Sequence, residues 1–295
     1  MSRLASFASL SLAEASKIFQ RLQFANDYDT LPVRGFLQNV LNGSIKKYAI
    51  FGEKLQQIGA VSANPPCLAV VQDGREIYNF EWDFASVFAR NQSDLLQFVE
   101  YLFAQRKWKR KPVALQGLNA KFHQATEQFF RSQGDCNITI LGHPFVLSYG
   151  RARPSPPLPE PKLPEGFRFD RLKPDEAHLV AEQWDYALPD KPAYFRWVIE
   201  NLPNVCIRNA EGRAICWTLE YQFGAGASWY TLPEYRRRRI SRNVLLKSDD
   251  AHYERSAVPS FGGVQVDNEV SMKAGAEFFQ IIDEFHLIWI IREPI

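Results

Sequence analysis

Apolar positions recur with two different periods along this chain, and the period switches many times. Leu12, Ala15, Ile18, Phe19 and Leu22 return at the spacing of one helical face, and Phe36, Leu37, Val40 and Leu41 do so again within residues 33–41, before Asn42-Gly43. Residues 48–51 and 67–71 are short apolar runs that predict strands. Gln72-Asp73-Gly74-Arg75 reads as a hairpin turn, with a return strand over 76–84. Ser93 is placed to cap a helix carrying Leu95, Leu96, Phe98, Val99, Leu102 and Phe103, which runs into a basic cluster at 106–111. A strand at 113–118, a helix at 120–131 and strands at 137–141 and 146–149 complete the first half.

The second half repeats that order. It predicts a strand at 167–172, helices at 174–184 and 193–201, and a hairpin of 205–208 and 214–221 about Asn209-Ala210-Glu211-Gly212. An aromatic strand over Ala227, Ser228, Trp229 and Tyr230 follows, then a helix at 240–253, a strand at 263–266, a helix at 269–279 and a closing strand at 285–291. Between the halves, residues 151–164 read RARPSPPLPEPKLP, and that density of proline makes an extended, semi-rigid segment rather than core. The expected organisation is a domain at 1–150, a linker at 151–164 and a domain at 165–295. Letters match as well as order. Asp73-Gly74-Arg75 parallels Glu211-Gly212-Arg213, and Gln116, Asn119 and Phe129-Phe130 have the mutual spacing of Gln265, Asn268 and Phe278-Phe279. From turn glycine to asparagine the second half carries eleven more residues, in the interval that holds TLPEYRRRRIS. Two related α/β folds in tandem, the second with an insertion, are expected.

Composition narrows the class. A chain of 295 residues, 46% hydrophobic and with net charge +2, has enough apolar material for a sizeable core and is neither disordered nor generally basic. No apolar run reaches the roughly 18 residues of a membrane span. The first residues lack the basic segment and apolar block of a secretory signal; Arg3 and the serines after it have some character of a mitochondrial transit segment. The four cysteines have no CxxC spacing and sit in apolar runs, which suits a reducing compartment, and the five histidines show no metal-ligand spacing. A cytoplasmic or mitochondrial protein without a metal is the expectation.

Against this near-neutral background, Arg236, Arg237, Arg238 and Arg239 are a local feature. They join the aromatic strand to a helix that opens at Ile240 and Ser241. The first amides of a helix have no intrahelical partner and its dipole favours negative charge there, so the joint has the makings of an anion site. It is not an ATP-type loop, because GxxxxGK[ST] is missing. On the residues alone it is a phosphate loop, a solvated basic turn or a nucleic-acid contact, and the overall charge makes nucleic acid the least expected. Residues 106–111 with Trp108 pose a similar choice between an RNA contact and a helix end whose cations complement the dipole; the helix end is expected.

Leu232-Pro233-Glu234-Tyr235-Arg236 resembles the coenzyme A loop of the GNAT acetyltransferase superfamily, and within it the glycine N-acyltransferase family. In that family (Arg or Gln)-x-x-Gly-x-(Gly or Ala) cradles the pyrophosphate. Arg236 falls on the first position, while Arg239 and Ser241 stand where the pattern has glycines. The two-half layout resembles the family over most of the chain, and residues 217–268 carry the motif-level match. The resemblance implies a tandem GNAT-like α/β (α+β) fold and an acyl-CoA N-acyltransferase. The co-substrate would be acetyl-CoA or another acyl-CoA, and the acceptor a small amine or an amino acid such as glycine. It further implies that the backbone of Tyr230, Thr231 and Leu232 pairs with the pantetheine arm, beside a strand splayed from its neighbour. Arg236, Arg237, Arg238, Arg239, Ile240 and Ser241 would meet the phosphates, and Asn268 would bind coenzyme A. For Asn268 a helix cap is an equal alternative, which its match at Asn119 favours.

Such a reaction needs a positioned thioester, a donor for the oxyanion and a base for the acceptor ammonium. Ala225 falls where glycine N-acyltransferases carry their catalytic glutamate, and Gly275 where many relatives have a tyrosine that protonates the thiolate. Glu220 is the nearest substitute base, set beside Trp217, Tyr221 and Trp229, with a solvent-facing role as its alternative. Tyr230, Tyr235 or water remain for the second proton. These departures leave a second reading, a catalytically inactive GNAT-fold protein that binds an acyl-CoA or a protein partner.

Overall fold

Strands whose side chains are buried on both faces need helices on both sides, and two such sheets organise this molecule. The computed structural model describes residues 7–22, 28–53, 67–77, 80–141, 145–150, 161–186, 188–276 and 278–295. They belong to two units, Met1–Phe145 with Glu284–Ile295, and Val146–Asp283.

The first unit runs β1 (Phe7–Ser9), α1 (Leu12–Leu22), α2 (Leu31–Leu41), β2 (Tyr48–Glu53), β3 (Cys67–Asp73), β4 (Asp83–Ala89), α3 (Gln92–Arg106), β5 (Val113–Asn119), α4 (His123–Ser132) and β6 (Cys136–Ile140). Its sheet has the order β1-β2-β3-β4-β5, and β5 then pairs with the later part of β13 (Phe279–Pro294). All pairs are antiparallel except β4 and β5, which match in parallel from Asp83↔Val113 to Ala85↔Leu115. Every residue of β4 is buried, with Leu95, Phe98, Val99 and Leu102 of α3 in the same core.

The second unit holds β7 (Phe145–Gly150), β8 (Arg168–Asp170), α5 (Ala177–Glu182), α6 (Lys191–Asn201), β9 (Asn204–Arg208), β10 (Ala214–Glu220), β11 (Gly226–Thr231), α7 (Ile240–Tyr253), β12 (Phe261–Gln265) and α8 (Glu269–Gly275). Its sheet order is β7-β12-β11-β10-β9-β8, with β11 and β12 parallel. Ile240 and Val244 of α7 bury against Ile207, Ile215 and Cys216. Both halves of the chain therefore repeat one element order, and the expected mixed α/β, GNAT-like tandem stands.

Several expectations change in detail. The helix after β4 is capped by Asn91, not Ser93, because the Asn91 side chain accepts from the Asp94 amide. Gly74 opens a 3-10 turn to Glu76, and the return strand starts only at Asp83. The helix expected at 269–279 stops at Gly275, and β13 begins at Phe279. The closing strand, expected to finish the second domain, joins the first unit beside β5, while β7, from the first half, stands beside β12. Leu287, Ile288, Trp289, Ile290 and Ile291 are all buried, so no alternation marks which sheet they serve. Most of the expected linker, 151–160, lies outside the described residues.

The letter match about the glycines also shifts. Gly212 lies between β9 and β10, whereas Gly74 lies between β3 and β4. The counterpart of Gly74 by element order is Gly224, between β10 and β11, and from there the distance to the asparagine is 44 residues against 45. The longer connection before α7 is offset by a shorter turn before β11.

Candidate active site

The second unit builds its site where β11 meets α7. One edge of β11 is paired with β10, from Cys216↔Thr231 to Glu220↔Gly226. The pairing is broken at a bulge: Ser228, at φ +48°, and Trp229 together face Thr218, whose Oγ1 donates to the Ala227 carbonyl at 3.1 Å. On the other edge, β11 registers with β12 at Gly226↔Gly262 alone among the described residues. A Cβ at 262 would lie 3.0 Å from the Gly226 carbonyl oxygen, so that close crossing needs glycine. From Ala227 onward this edge of β11 carries no register with β12.

The arginine loop follows. Leu232 donates its amide to the Ile215 carbonyl at 3.0 Å, and residues 233–235 form one 3-10 turn. Arg236 Nε donates to the Thr231 carbonyl at 3.0 Å, and its guanidinium lies 5.3 Å from the Tyr230 ring centre, so Tyr230, Thr231 and Arg236 are in contact. The Thr231 hydroxyl meets Cys216 Sγ at 3.1 Å. Burial, opposed by this hydroxyl, pushes the Cys216 thiol up to about 12. Arg238 stacks over Tyr235 at 5.5 Å. Arg237 and Arg239 stand at φ +62° and +59°. Arg239 is thus in the left-handed conformation that a glycine takes freely, at the position where the resembled pattern has its first glycine. It forms the N-cap of α7 without a side-chain cap, and Ile240 is buried while Ser241 is half-buried. The helix opens with amides that no capping side chain satisfies, four arginines alongside. That arrangement can take a phosphate.

Asn268 heads α8, and its side chain accepts from the Ser271 amide at 3.0 Å, a cap. Asn119 caps in the same way in the first unit, accepting from the Lys121 amide.

Glu220 is neither solvent-facing nor free. It is buried, and its oxygens meet His252 Nδ1 at 2.8 Å and Arg255 Nη2 at 3.3 Å. His252 Nε2 lies 2.8 Å from the Val258 carbonyl, which fixes a hydrogen on that nitrogen. Burial opposes the imidazolium, but the bond and charge of Glu220 and the Val258 carbonyl outweigh it, and the His252 pKa is raised. This pair ties the last turn of α7 to the end of β10. The twelve steps from Ile240 to His252 span about 18 Å of helix, so Glu220 sits at the opposite end from the arginine loop. Sequence reasoning missed His252, because a lone histidine 32 positions from Glu220 carries no local signal.

The other face of β10 presents an aromatic group. Tyr221 accepts a hydrogen bond from Trp184 Nε1 at 2.9 Å, and Trp184 packs edge-on against Tyr186 at 5.0 Å. Ala225 is buried in the turn after β10, its carbonyl accepting from the Tyr221 amide at 2.9 Å. In the first unit the two ends of the basic cluster turn inward with Trp108: Arg106 Nε, Trp108 Nε1 and Lys111 Nζ all donate to buried Asp83, at 3.0, 2.8 and 2.6 Å, while Lys107, Lys109 and Arg110 are exposed. No group of histidine, cysteine, aspartate and glutamate among the described residues could hold a metal ion. No helix among them is long and apolar enough to cross a membrane.

No family model matches the chain. Human glycine N-acyltransferase is 28% identical over 131 residues, which is 44% of this chain and 44% of the human protein. The bovine glycine N-acyltransferase is 26% identical over 111 residues, 37% of each. The matches thus span less than half the length of these curated relatives. A Drosophila protein of known structure superposes with TM-score 0.73 at 12% identity, over 98% of both chains. A putative acetyltransferase from Pyrococcus horikoshii does so with TM-score 0.52 at 9% identity, over 97% of this chain and 88% of that one. The likeness to the glycine N-acyltransferases therefore holds in sequence over part of this chain, and its fold is shared with these solved structures over nearly its whole length.

Proposed function

We propose that this protein transfers an acyl group from acyl-coenzyme A to the amine of a small molecule or amino acid such as glycine. The observation that carries the reading is Arg239 at φ +59°, heading an α7 that no side chain caps, directly after a strand with one unregistered edge. The glycine of the resembled pattern is gone, yet the backbone keeps the shape it would supply. Arg236, Arg237, Arg238 and Arg239 with the amides of Ile240 and Ser241 take the pyrophosphate. The pantetheine arm runs back along the free edge of β11 past Thr231 and Tyr230 toward the bulge at Ser228. Acetyl-CoA or a larger acyl-CoA serves as co-substrate, in the cytoplasm or mitochondrion.

Calorimetric titration with free coenzyme A, acetyl-CoA and benzoyl-CoA tests it. Wild-type protein is expected to bind at micromolar concentration. Arg236→Glu loses charge-assisted bonds worth about 1.5–3 kcal/mol, so affinity falls about 10- to 100-fold. No heat from folded wild-type protein would end the proposal.

One observation favours a second reading, a protein that binds acyl-CoA without turning it over. Ala225 offers no carboxylate and Glu220 has both oxygens engaged by His252 and Arg255. Coenzyme A binding with no thiol release from any acyl-CoA and amine would select it.

A further inference from the structure

The missing carboxylate at Ala225 leaves the proton transfers without an evident carrier, and the surroundings of that residue supply one. Tyr221 is joined to Ala225 across the turn by a backbone hydrogen bond of 2.9 Å. Its hydroxyl accepts from Trp184 Nε1 at 2.9 Å, which turns the phenol's own hydrogen away from the indole. Beside it stands the hydroxyl of Ser228, the bulged residue at φ +48°. That Ser228 hydroxyl is buried and lies against the phenol, while the indole N–H of Trp217, three residues before Glu220 on β10 and 1% exposed, is buried without a hydrogen-bond partner. Ser228 stands at a strained backbone position, the kind of place where strain accompanies function. The unregistered edge of β11 starts at this bulge, about 13 Å of strand from Leu232.

We propose that the Tyr221 hydroxyl, held by Trp184 beside the Ser228 bulge, hands its proton to the departing coenzyme A thiolate and recovers one from the nitrogen of the new amide. This rests on the acyltransferase reading. The acceptor enters as a free amine after losing its ammonium proton to solvent. Its lone pair forms the C–N bond, and the C–S bond then breaks with its electrons leaving on sulfur. Sulfur takes the phenol proton; the phenolate takes a proton from the positively charged nitrogen. The net result moves one proton from nitrogen to sulfur and restores the tyrosine. Ser228 donates to the phenolate while it exists.

The groups that face the pair support a neutral phenol at rest. Burial raises the Tyr221 pKa, against the bonds from Ser228 and Trp184. Tyr186, on the segment between α5 and α6, is raised by burial and then by Tyr221, Asp185 and Asp267. The charged groups acting on Tyr186 are therefore acidic, and burial favours the neutral form of Tyr221.

The test compares wild type, Tyr221→Phe, and protein carrying 3,5-difluorotyrosine at 221. It measures thiol release from acetyl-CoA and benzoyl-CoA with glycine, alongside calorimetric binding of coenzyme A. Tyr221→Phe is expected to bind coenzyme A as wild type does and to lose about a hundredfold in kcat. The difluorotyrosine protein, nearly isosteric, is expected to keep activity with the alkaline limb of its kcat profile moved to lower pH. A Tyr221→Phe protein within twofold of wild-type kcat, or a difluorotyrosine profile that does not move, overturns the role of Tyr221 while leaving the acyltransferase reading intact. Wild-type protein that binds coenzyme A but releases no thiol overturns both.

Discussion

The joint between β4 and α3 in the first unit and that between β11 and α7 in the second are the same piece of architecture put to different ends. Each is a strand, a connection and a helix, followed by a parallel strand. Both helices have their last turn tied to a buried carboxylate on a strand: Arg106 and Trp108 on Asp83 for α3, His252 on Glu220 for α7. They differ where they begin. The first joint needs two residues, and Asn91 closes the helix with its own side chain while Asp94 adds a negative charge to the first turn. The second uses residues 232–239, with four arginines and two left-handed residues, and supplies no cap. Orphan amides must find partners. In one unit a side chain provides one; in the other no side chain caps the helix, and four arginines precede it.

The largest effect is expected from breaking the first helix's tie. Asp83 has no exposed side-chain surface, and Asp83→Asn leaves Arg106 without its counter-charge and Lys111 with Asp73 alone, 3.7 Å away. A loss of about 3–5 kcal/mol is expected for the first unit in urea unfolding, with coenzyme A binding by the surviving native fraction unchanged. A variant that unfolds no more readily than wild type would show that Asp83 does not hold the end of α3.

Exchanging the two helix starts sharpens the comparison at a smaller scale. Asn91→Ala removes a cap and is expected to destabilise by about 1 kcal/mol. Arg239→Gly relieves a left-handed non-glycine residue and is expected to stabilise by about 1 kcal/mol. Thermal melts of the two variants should therefore move in opposite directions. A lowered melting temperature for Arg239→Gly would contradict the left-handed backbone at 239.

The smallest effect is a pH slope from the second helix's tie. The His252 pKa is raised in the folded protein, so its contribution is complete below the ordinary histidine value, about 6.5. It is lost as pH rises through the raised value. Melting temperatures should fall over that interval for wild type and less steeply for His252→Gln.

Element order and the arginine turn before a helix were legible in the sequence because they rest on local signals. Ile240 to Tyr253 was expected as a helix and is one, since its apolar residues recur on a single face. Other features had no local trace. Asn91 was passed over for Ser93, two residues on, because both are good caps and only the bond to the Asp94 amide decides. The supposed eleven-residue insertion came from pairing Gly74 with Gly212, two glycine turns alike in letters but at different places in the strand order.

The sequence by itself determined where the chain turns, which segments alternate or recur, and that a run of arginines precedes a helix. These depend on residues within a few positions of one another, where sterics and periodicity act. Only the tertiary structure decided that β13 serves the first unit, that Glu220 is bound to His252, and that Trp184 and Ser228 flank the Tyr221 hydroxyl. Those partners are brought together by strand pairing and burial, across separations at which neither propensity nor spacing leaves a mark in the chain.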